Sequence, residues 1–397
     1  MARFQQDGIL NREQKFVMTC IRQNHSDPEG LVVIPNQPLN WEAVRRFATS
    51  QEVLPIIYQR LAEAAESTIP PDEWIQWKDK FKTNAYRNLR LSHKLVWIME
   101  QLAQNQIQAI ALKGPVLAIQ GYGDLSLRSF MDLDILIHPE DFHNVYDILV
   151  KAGFIPELEL TPVQQNWVVS SGYHLPFLHQ NADIEIHWKI AEVGLLHPLK
   201  SDLFWHDLAV TPVLEEKINS LSLENSILLA CLHGTKTGWD KLKWIADLAS
   251  LIHANPDHDW SQLIENARRS GMKRLVCLGF LLAEEPGGVV FDDPTHALIH
   301  KDAKAEELAA QVRRQIGGEW AGPGQFGYIP FYLESRERLR DRLYFIFDQV
   351  FVPKQADWVR LPLPRQVFFF YYLFRPLRLL VKFSSKTITG FLNRASK

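Results

Sequence analysis

The order of apolar and polar residues divides the chain into three stretches. Over residues 41–64, Trp41, Val44, Phe47 and Ala48 recur at helical spacing until Val53-Leu54-Pro55 interrupts them. Over residues 86–105, Leu91, Leu95, Ile98 and Leu102 share one helical face, with charged or polar residues between them. These segments predict a helical N-terminal region, residues 1–105. The period then changes. Ile107–Leu112 is a short apolar run ending at Lys113-Gly114, as a strand would. Asp132-Leu133-Asp134-Ile135-Leu136-Ile137 alternates at its start, Leu175–Leu178 reads as another strand, and Asp183-Ile184-Glu185-Ile186-His187-Trp188 alternates throughout. Pro139-Glu140-Asp141 opens a helix whose apolar face is Phe142, Tyr146 and Leu149 and which Gly153 closes. Residues 106–200 therefore predict a small mixed α/β core. Beyond residue 200 the pattern is mainly helical again. Ser222 is the expected N-cap of a helix through Ile227, Cys231 and Leu232. Asp240 is the expected cap of the next, where Leu242, Ile245, Leu248 and Ile252 share a face. The expected fold is α+β: a small mixed-sheet core flanked by helical regions, the C-terminal one being residues 201–397.

One apolar run stands apart. Val367–Phe374 spans eight residues before Arg375-Pro376 interrupts it, far short of the about twenty that cross a bilayer. It reads first as a buried helix. The alternative is a membrane-surface helix over residues 365–384, because Arg378 and Lys382 lie among Leu377, Leu379, Leu380, Val381 and Phe383.

With 397 residues, 46% hydrophobic and 22% charged, the chain has a globular balance and more length than one core usually holds. A formal net charge of −3 argues against a nucleic-acid coat, so no DNA partner is expected. Cys20, Cys231 and Cys277 are far apart and odd in number, which predicts reduced thiols. The first residues carry no apolar leader, and the expectation is a cytoplasmic protein. No phosphate loop of the GxxxxGK[ST] type, no GxGxxG and no GxSxG occurs in a fitting context.

The chemistry concentrates in the middle stretch. On a strand, Asp132 and Asp134 point to the same side and can share a hard cation such as Mg²⁺ through oxygen ligands. Glu185, if its strand lies beside theirs, brings a third carboxylate. Three such groups close together are costly unless a cation neutralises them. Lys113 and Arg128 flank the acidic strand, and Gly114 opens a turn where backbone can approach a phosphate. Each residue has a plainer reading. Asp-x-Asp is common on exposed edges, and Arg128 can pair with Asp124 or Glu140. His187 either orients Glu185 or is a hydrogen-bonded structural histidine. Lys236 either reaches a phosphate or is solvated, and Trp239 and Trp244 read as core.

Taken together, Leu112-Lys113-Gly114, Tyr122-Gly123-Asp124, Leu127-Arg128, Asp132-Leu133-Asp134-Ile135-Leu136 and Ile184-Glu185-Ile186-His187-Trp188 resemble a bacterial nucleotidyltransferase family usually labelled uncharacterised, within the polymerase-β-like superfamily. Leu232-His233-Gly234-Thr235-Lys236, Trp239 and Leu242-Lys243-Trp244-Ile245-Ala246-Asp247 fit the same family, and the resemblance covers most of residues 40–380. It implies that Asp132 and Asp134 bind Mg²⁺ (or Mn²⁺) and that Glu185 is a second-metal ligand or general base. It also implies a nucleoside triphosphate held near Lys113, Gly114 and Arg128, with its nucleotide transferred to an acceptor and pyrophosphate released. The acceptor (small molecule, peptide or protein, sugar, or RNA) stays open. The alternative is a non-catalytic nucleotide-binding or scaffold protein on the same fold. It is favoured by Gly114-Pro115, where proline offers a phosphate no backbone N–H.

Overall fold

A computed structural model describes residues 10–22, 38–64, 68–179, 182–191, 201–317, 328–354 and 365–381, with positions 35, 357, 361 and 363. Its centre is a seven-stranded mixed sheet. The strands are β1 (Ala109–Ala111), β2 (Asp132–Ile137), β3 (Ile155–Pro156), β4 (His174–His179), β5 (Ala182–His187), β6 (Ala209–Val213) and β7 (Glu216–Ser220), in the order β3-β4-β5-β2-β1-β7-β6. β2 runs parallel to β5 and β1 parallel to β7; the other neighbours are antiparallel.

Among the described residues, four helices precede the sheet: α1 (Arg12–Arg22), α2 (Trp41–Ser50), α3 (Leu54–Ala64) and α4 (Pro71–Gln104). Two of the described helices lie within it, α5 (Phe142–Lys151) and α6 (Pro162–Ser171). The C-terminal helices include α7 (Leu223–Thr237), α8 (Leu242–His253), α9 (Trp260–Arg269), α10 (Lys273–Glu284), α11 (Asp293–His300) and α12 (Ala303–Gly317), then α13 (Tyr328–Ser335) and α14 (Leu339–Phe351). Capping follows local chemistry. The Asn40 side chain accepts from the Ala43 amide before α2, Thr161 and Gln164 form a reciprocal capping box on α6, and Ser222 accepts from the Asn225 amide on α7.

The alternation of β2 explains why the sheet has a core on each side. Leu133, Ile135 and Ile137 point to one face, where they pack with Ile184 and Ile186 of β5, Phe142 and Leu149 of α5, and the second half of α4. Leu136 points to the other face, where Ile110 and Leu112 join the core built by α7 to α10. Helices α1 to α3 bury Phe16, Val17, Val44 and Ile57 in that same second core. The N-terminal and C-terminal helical regions, widely separated in sequence, therefore share one interior. α4 spans both sides: Trp77 belongs to the helical core, and Leu91, Leu95 and Ile98 belong to the sheet core.

Three expectations change. The sheet runs past residue 200, because 209–213 and 216–220 form a hairpin whose second strand pairs with β1. Pro212 hides that hairpin from the pattern, yet β6 is an edge strand, where the missing N–H costs no ladder bond. Asp240 does not cap α8; its carboxylate accepts from the Trp244 indole N–H at 3.0 Å. Val367–Phe374 is not a buried helix. Residues 365–370 form a 3₁₀ segment and 371–381 a helix; Tyr371 is buried, but Phe369, Phe370, Tyr372 and Leu373 are exposed. One short helix can bury only one stripe, and Tyr371 and Arg375 occupy it.

The turn after β1 depends on glycine. Gly114 has φ 60° and ψ −122°, which an L side chain reaches only with strain, although a Cβ there would meet nothing closer than 3.5 Å. Pro115 then occupies the first position of the short turn Pro115–Leu117, where an N–H would have no partner in the turn. Gly114→Ala is expected to destabilise the fold by about 1–3 kcal/mol through backbone strain alone. Urea unfolding of the variant measures it; an unchanged midpoint would mean that the turn adopts another conformation.

Candidate active site

The parallel pairing of β2 with β5 is in the register Asp132↔Asp183, Asp134↔Glu185 and Leu136↔His187. Asp134 and Glu185 thus stand side by side on one face, with Asp132 two residues before Asp134 on that face. Donor atoms of Asp134, Glu185 and His187 all lie within 4.8 Å of one another. Asp132 is not in that trio, and His187, which the sequence left divided between two roles, is in its middle. His187 Nε2 lies 3.0 Å from Asp134 Oδ1 and 3.2 Å from Glu185 Oε2. Lys113 Nζ approaches the other Asp134 oxygen at 3.2 Å.

The electrostatics follow from burial and these partners. Asp134 is only 4% exposed. Burial raises its carboxyl, but Lys113 and then the His187 hydrogen bond outweigh it and hold it well below the ordinary carboxylate range. Asp132 goes the other way: burial and then the neighbouring Asp134 charge push it up. Burial opposes the charged form of His187, yet Asp134 and Glu185 together raise it. Glu185 is drawn down, its burial outweighed mainly by the His187 hydrogen bond. His174 of β4 stacks on His187 with ring centres 5.2 Å apart, and burial and then the charge on His187 bring it down to about 4. Nδ1 of His187 is buried with no hydrogen-bond partner among the described residues.

Arg128 lines the cleft and is also held by an internal partner. It is 4% exposed, and its Nε and Nη2 bind Asp247 of α8 at 2.9–3.1 Å. The Tyr122 hydroxyl donates to the same carboxylate at 2.8 Å. Neither Asp124 nor Glu140 is its partner. The segment leading to β2 is held from the other side by α4. Asn88 donates to the Leu125 and Arg128 carbonyls, Asn84 to the Ser126 carbonyl, and Arg87 Nε to the Phe130 carbonyl. These buried amides of α4 were missed because nothing local marks an asparagine as inward-facing. Asp247 and Tyr122 stood in the quoted family motifs, so their signal was present without a role.

Beside the acids is a small cleft with an enclosed volume of about 20 Å³, lined by Lys113, Arg128, Leu229, His233, Trp244 and Asp247 among others. Lys113 belongs to both cleft and acidic cluster. His233 Nε2 is buried without a partner among the described residues, and burial followed by Lys113 keeps the ring neutral. Trp244 packs edge-on against His233, while Trp239 is fully buried core. Lys236 lies 3.4 Å from the Tyr173 hydroxyl and over that ring. Lys243, next to Trp244 of the cleft wall, is pinned to Glu52 of the N-terminal region at 2.9 Å.

The family model described as "Uncharacterised nucleotidyltransferase" matches residues 37–288. The chain belongs to that family. The match takes in the sheet, the acidic cluster, and helices α2 to α10. No curated protein matches the chain.

Arg128 and Asp247 form a pair inside the protein, and truncating one partner strands the other's charge. Arg128→Ala is expected to lower unfolding free energy by about 3–5 kcal/mol. Urea denaturation at constant slope measures the loss; a variant of native stability that loses only nucleotide affinity would instead make Arg128 a phosphate contact.

Proposed function

We propose that this family member transfers a nucleoside monophosphate from a nucleoside triphosphate to an acceptor, in the manner of polymerase-β-like enzymes. The observation that carries the reading is the register of β2 against β5, which sets Asp134 beside Glu185 with Asp132 on the same face. The donor set fits a divalent cation: two adjacent carboxylates suit Mg²⁺ or Mn²⁺, and an imidazole beside them is better tolerated by Mn²⁺. Asp132, Asp134 and Glu185 would hold the ion, which when bound neutralises charge on phosphate oxygens. The chain's own residues do the rest. Lys113 supplies positive charge at the mouth of the cleft. His187 orients Asp134 and Glu185. Glu185, partly exposed and drawn towards its ionised form, accepts the proton of the attacking acceptor group. The acceptor oxygen or nitrogen bonds to the α-phosphorus, the bond to the bridging oxygen breaks, and pyrophosphate leaves. The base of the nucleotide and the acceptor remain to be assigned.

A specific test is calorimetric titration of ATP, GTP, CTP and UTP, in Mg²⁺ and in EDTA, on the wild type and on Asp132→Asn/Asp134→Asn. Metal-dependent binding of one nucleotide, absent in the double variant, is expected. Since Asp134 also holds Lys113 and His187, Asp132→Asn alone is the cleaner probe: it should abolish transfer at an unchanged unfolding midpoint. Glu185→Gln should reduce transfer more than nucleotide binding, and His187→Gln should lower activity about 10–100-fold, the usual cost of disturbing a ligand's support. Full activity in Asp132→Asn, or no triphosphate binding by the wild type, returns the site to the scaffold reading.

A second reading concerns where the enzyme works. Leu339, Leu343 and Phe347 on α14 and Leu373, Leu377 and Leu380 on the helix of residues 371–381 are each at least half exposed, at helical spacing. Arg375 joins the two helices, donating to the Gln349 carbonyl at 2.7 Å and to Asp357 at 2.8 Å. Residues 358–397 hold eight Arg or Lys and no Asp or Glu, in a chain of net charge −3. An exposed apolar stripe matches a bilayer surface, and the basic composition of that stretch of sequence favours an anionic one. No helix among the described residues is long and apolar enough to cross a membrane, so the contact would be peripheral. The wild type is expected to co-sediment with phosphatidylglycerol-containing vesicles, less so in high salt, and Leu373→Glu/Leu377→Glu to stay in solution. Absence of vesicle binding, or a dimer in solution that the same double variant dissolves, would give this face to another occupant.

A further inference from the structure

Away from the sheet, α10, α11 and α12 bring a second group of metal-ligating side chains together. Glu284 ends α10, and His296 and His300 lie one turn apart on a single face of α11. His300 Nε2 lies 2.9 Å from one Glu284 oxygen and His296 Nε2 lies 3.5 Å from the other. The two imidazole rings are 4.2 Å apart, and the three donor atoms fall within 4.8 Å of one another. On its other nitrogen, Nδ1, His300 is held by Glu306 in the first turn of α12. None of these residues touches the acidic cluster on the sheet or lines the cleft beside it.

We propose that Glu284, His296 and His300 bind a divalent transition metal of the Zn²⁺ class, independent of the nucleotidyl-transfer site. Two histidines at i and i+4 with one carboxylate from a neighbouring helix is a three-ligand set that leaves a fourth tetrahedral position to water. Glu306 adds the feature that separates a ligand histidine from an ordinary one: a carboxylate on the far ring nitrogen fixes its tautomer and makes Nε2 the ligating atom. A plain salt bridge explains His300 between Glu284 and Glu306, but it leaves His296 without a purpose. That ring is about half exposed, yet it is turned onto the same carboxylate. A metal uses both rings. It also places positive charge at the C-terminal end of α10, where Glu284 and Glu285 meet the negative end of the helix dipole. Imidazole donors select against Mg²⁺, so the two sites divide the available cations by chemistry. The bound ion would tie α10 to α11 and, through Glu306, to α12, stabilising the C-terminal helices increasingly as free metal exceeds its Kd.

The test is Zn²⁺ and Co²⁺ titration of the full chain in excess Mg²⁺, followed by metal analysis, thermal unfolding and the visible spectrum of the Co²⁺ form. One equivalent of Zn²⁺ is expected to survive the Mg²⁺, to raise the unfolding temperature and to give a tetrahedral-type Co²⁺ absorption. His296→Ala leaves the His300 bridge to both glutamates intact. It should lose that equivalent, the thermal shift and the Co²⁺ band while keeping the metal-free unfolding temperature. Glu185→Gln should lose none of the three. Failure of the wild type to retain an equivalent, or retention of it by His296→Ala, overturns the proposal. A loss in Glu185→Gln would move the ion to the sheet, and activity lost only in that variant bears on the transfer reaction, not on this site.

Discussion

A carboxylate shut inside a protein has to be neutralised by partners delivered to it, and Asp134 imposes that demand at the centre of the sheet. Its two oxygens face Lys113 on one side and His187 on the other. Lys113 follows β1 and His187 ends β5, so meeting the demand requires the exits of two different strands to converge on the middle of β2. Parallel pairing of β2 with β5 achieves this, because it sets Glu185 opposite Asp134 and His187 two residues further along the same face. Sliding β5 by one residue would turn Glu185 and His187 into the core and bring Ile184 and Ile186 to the acids. The same alternation that packs the apolar residues of β5 therefore assembles the polar site.

Around that centre, separate parts of the chain are bound by buried polar contacts rather than by sequence neighbours. Arg128, Tyr122 and Asp247 join the segment before β2 to α8. Asn84 and Asn88 fasten the same segment to α4. Lys243 reaches Glu52 across nearly two hundred residues of sequence. α1 to α3 lie in the core of the C-terminal helices, so both ends of the chain share one interior behind the sheet. A charged pair sealed in such a place contributes most by penalising any arrangement that leaves one member alone.

The periphery differs in kind. The exposed leucines of α14 and of residues 371–381, and the histidine–glutamate group of α10 to α12, present chemistry beyond what internal packing uses up. The first is exposed apolar surface. The second is a set of ligating atoms already oriented by a carboxylate. Both lie on the helical part of the chain, apart from the acidic strands.

The sequence by itself determined the elements whose signal is local. A period of two wrote β2 and β5, a period near four wrote α4 and α8, and Ser222 announced the start of α7. It also determined that Asp132 and Asp134 share a face, since that needs only the geometry of one strand. What depended on partners was legible only as a condition. Glu185 read as a third carboxylate if its strand lay beside β2, which the pairing supplies, and His187 turns out to bridge it to Asp134. Arg128 binds Asp247, 119 residues away, and not the acids near it in sequence. The hairpin of β6 and β7 was masked by Pro212, harmless only because the sheet ends there. The run Val367–Phe374 is equally apolar whether it lies inside or out, and only the packing of Tyr371 and Arg375 decided which faces stayed exposed. Periodicity reports the conformation of one segment; which charge meets which, and which face meets water, is settled only when distant segments come into contact.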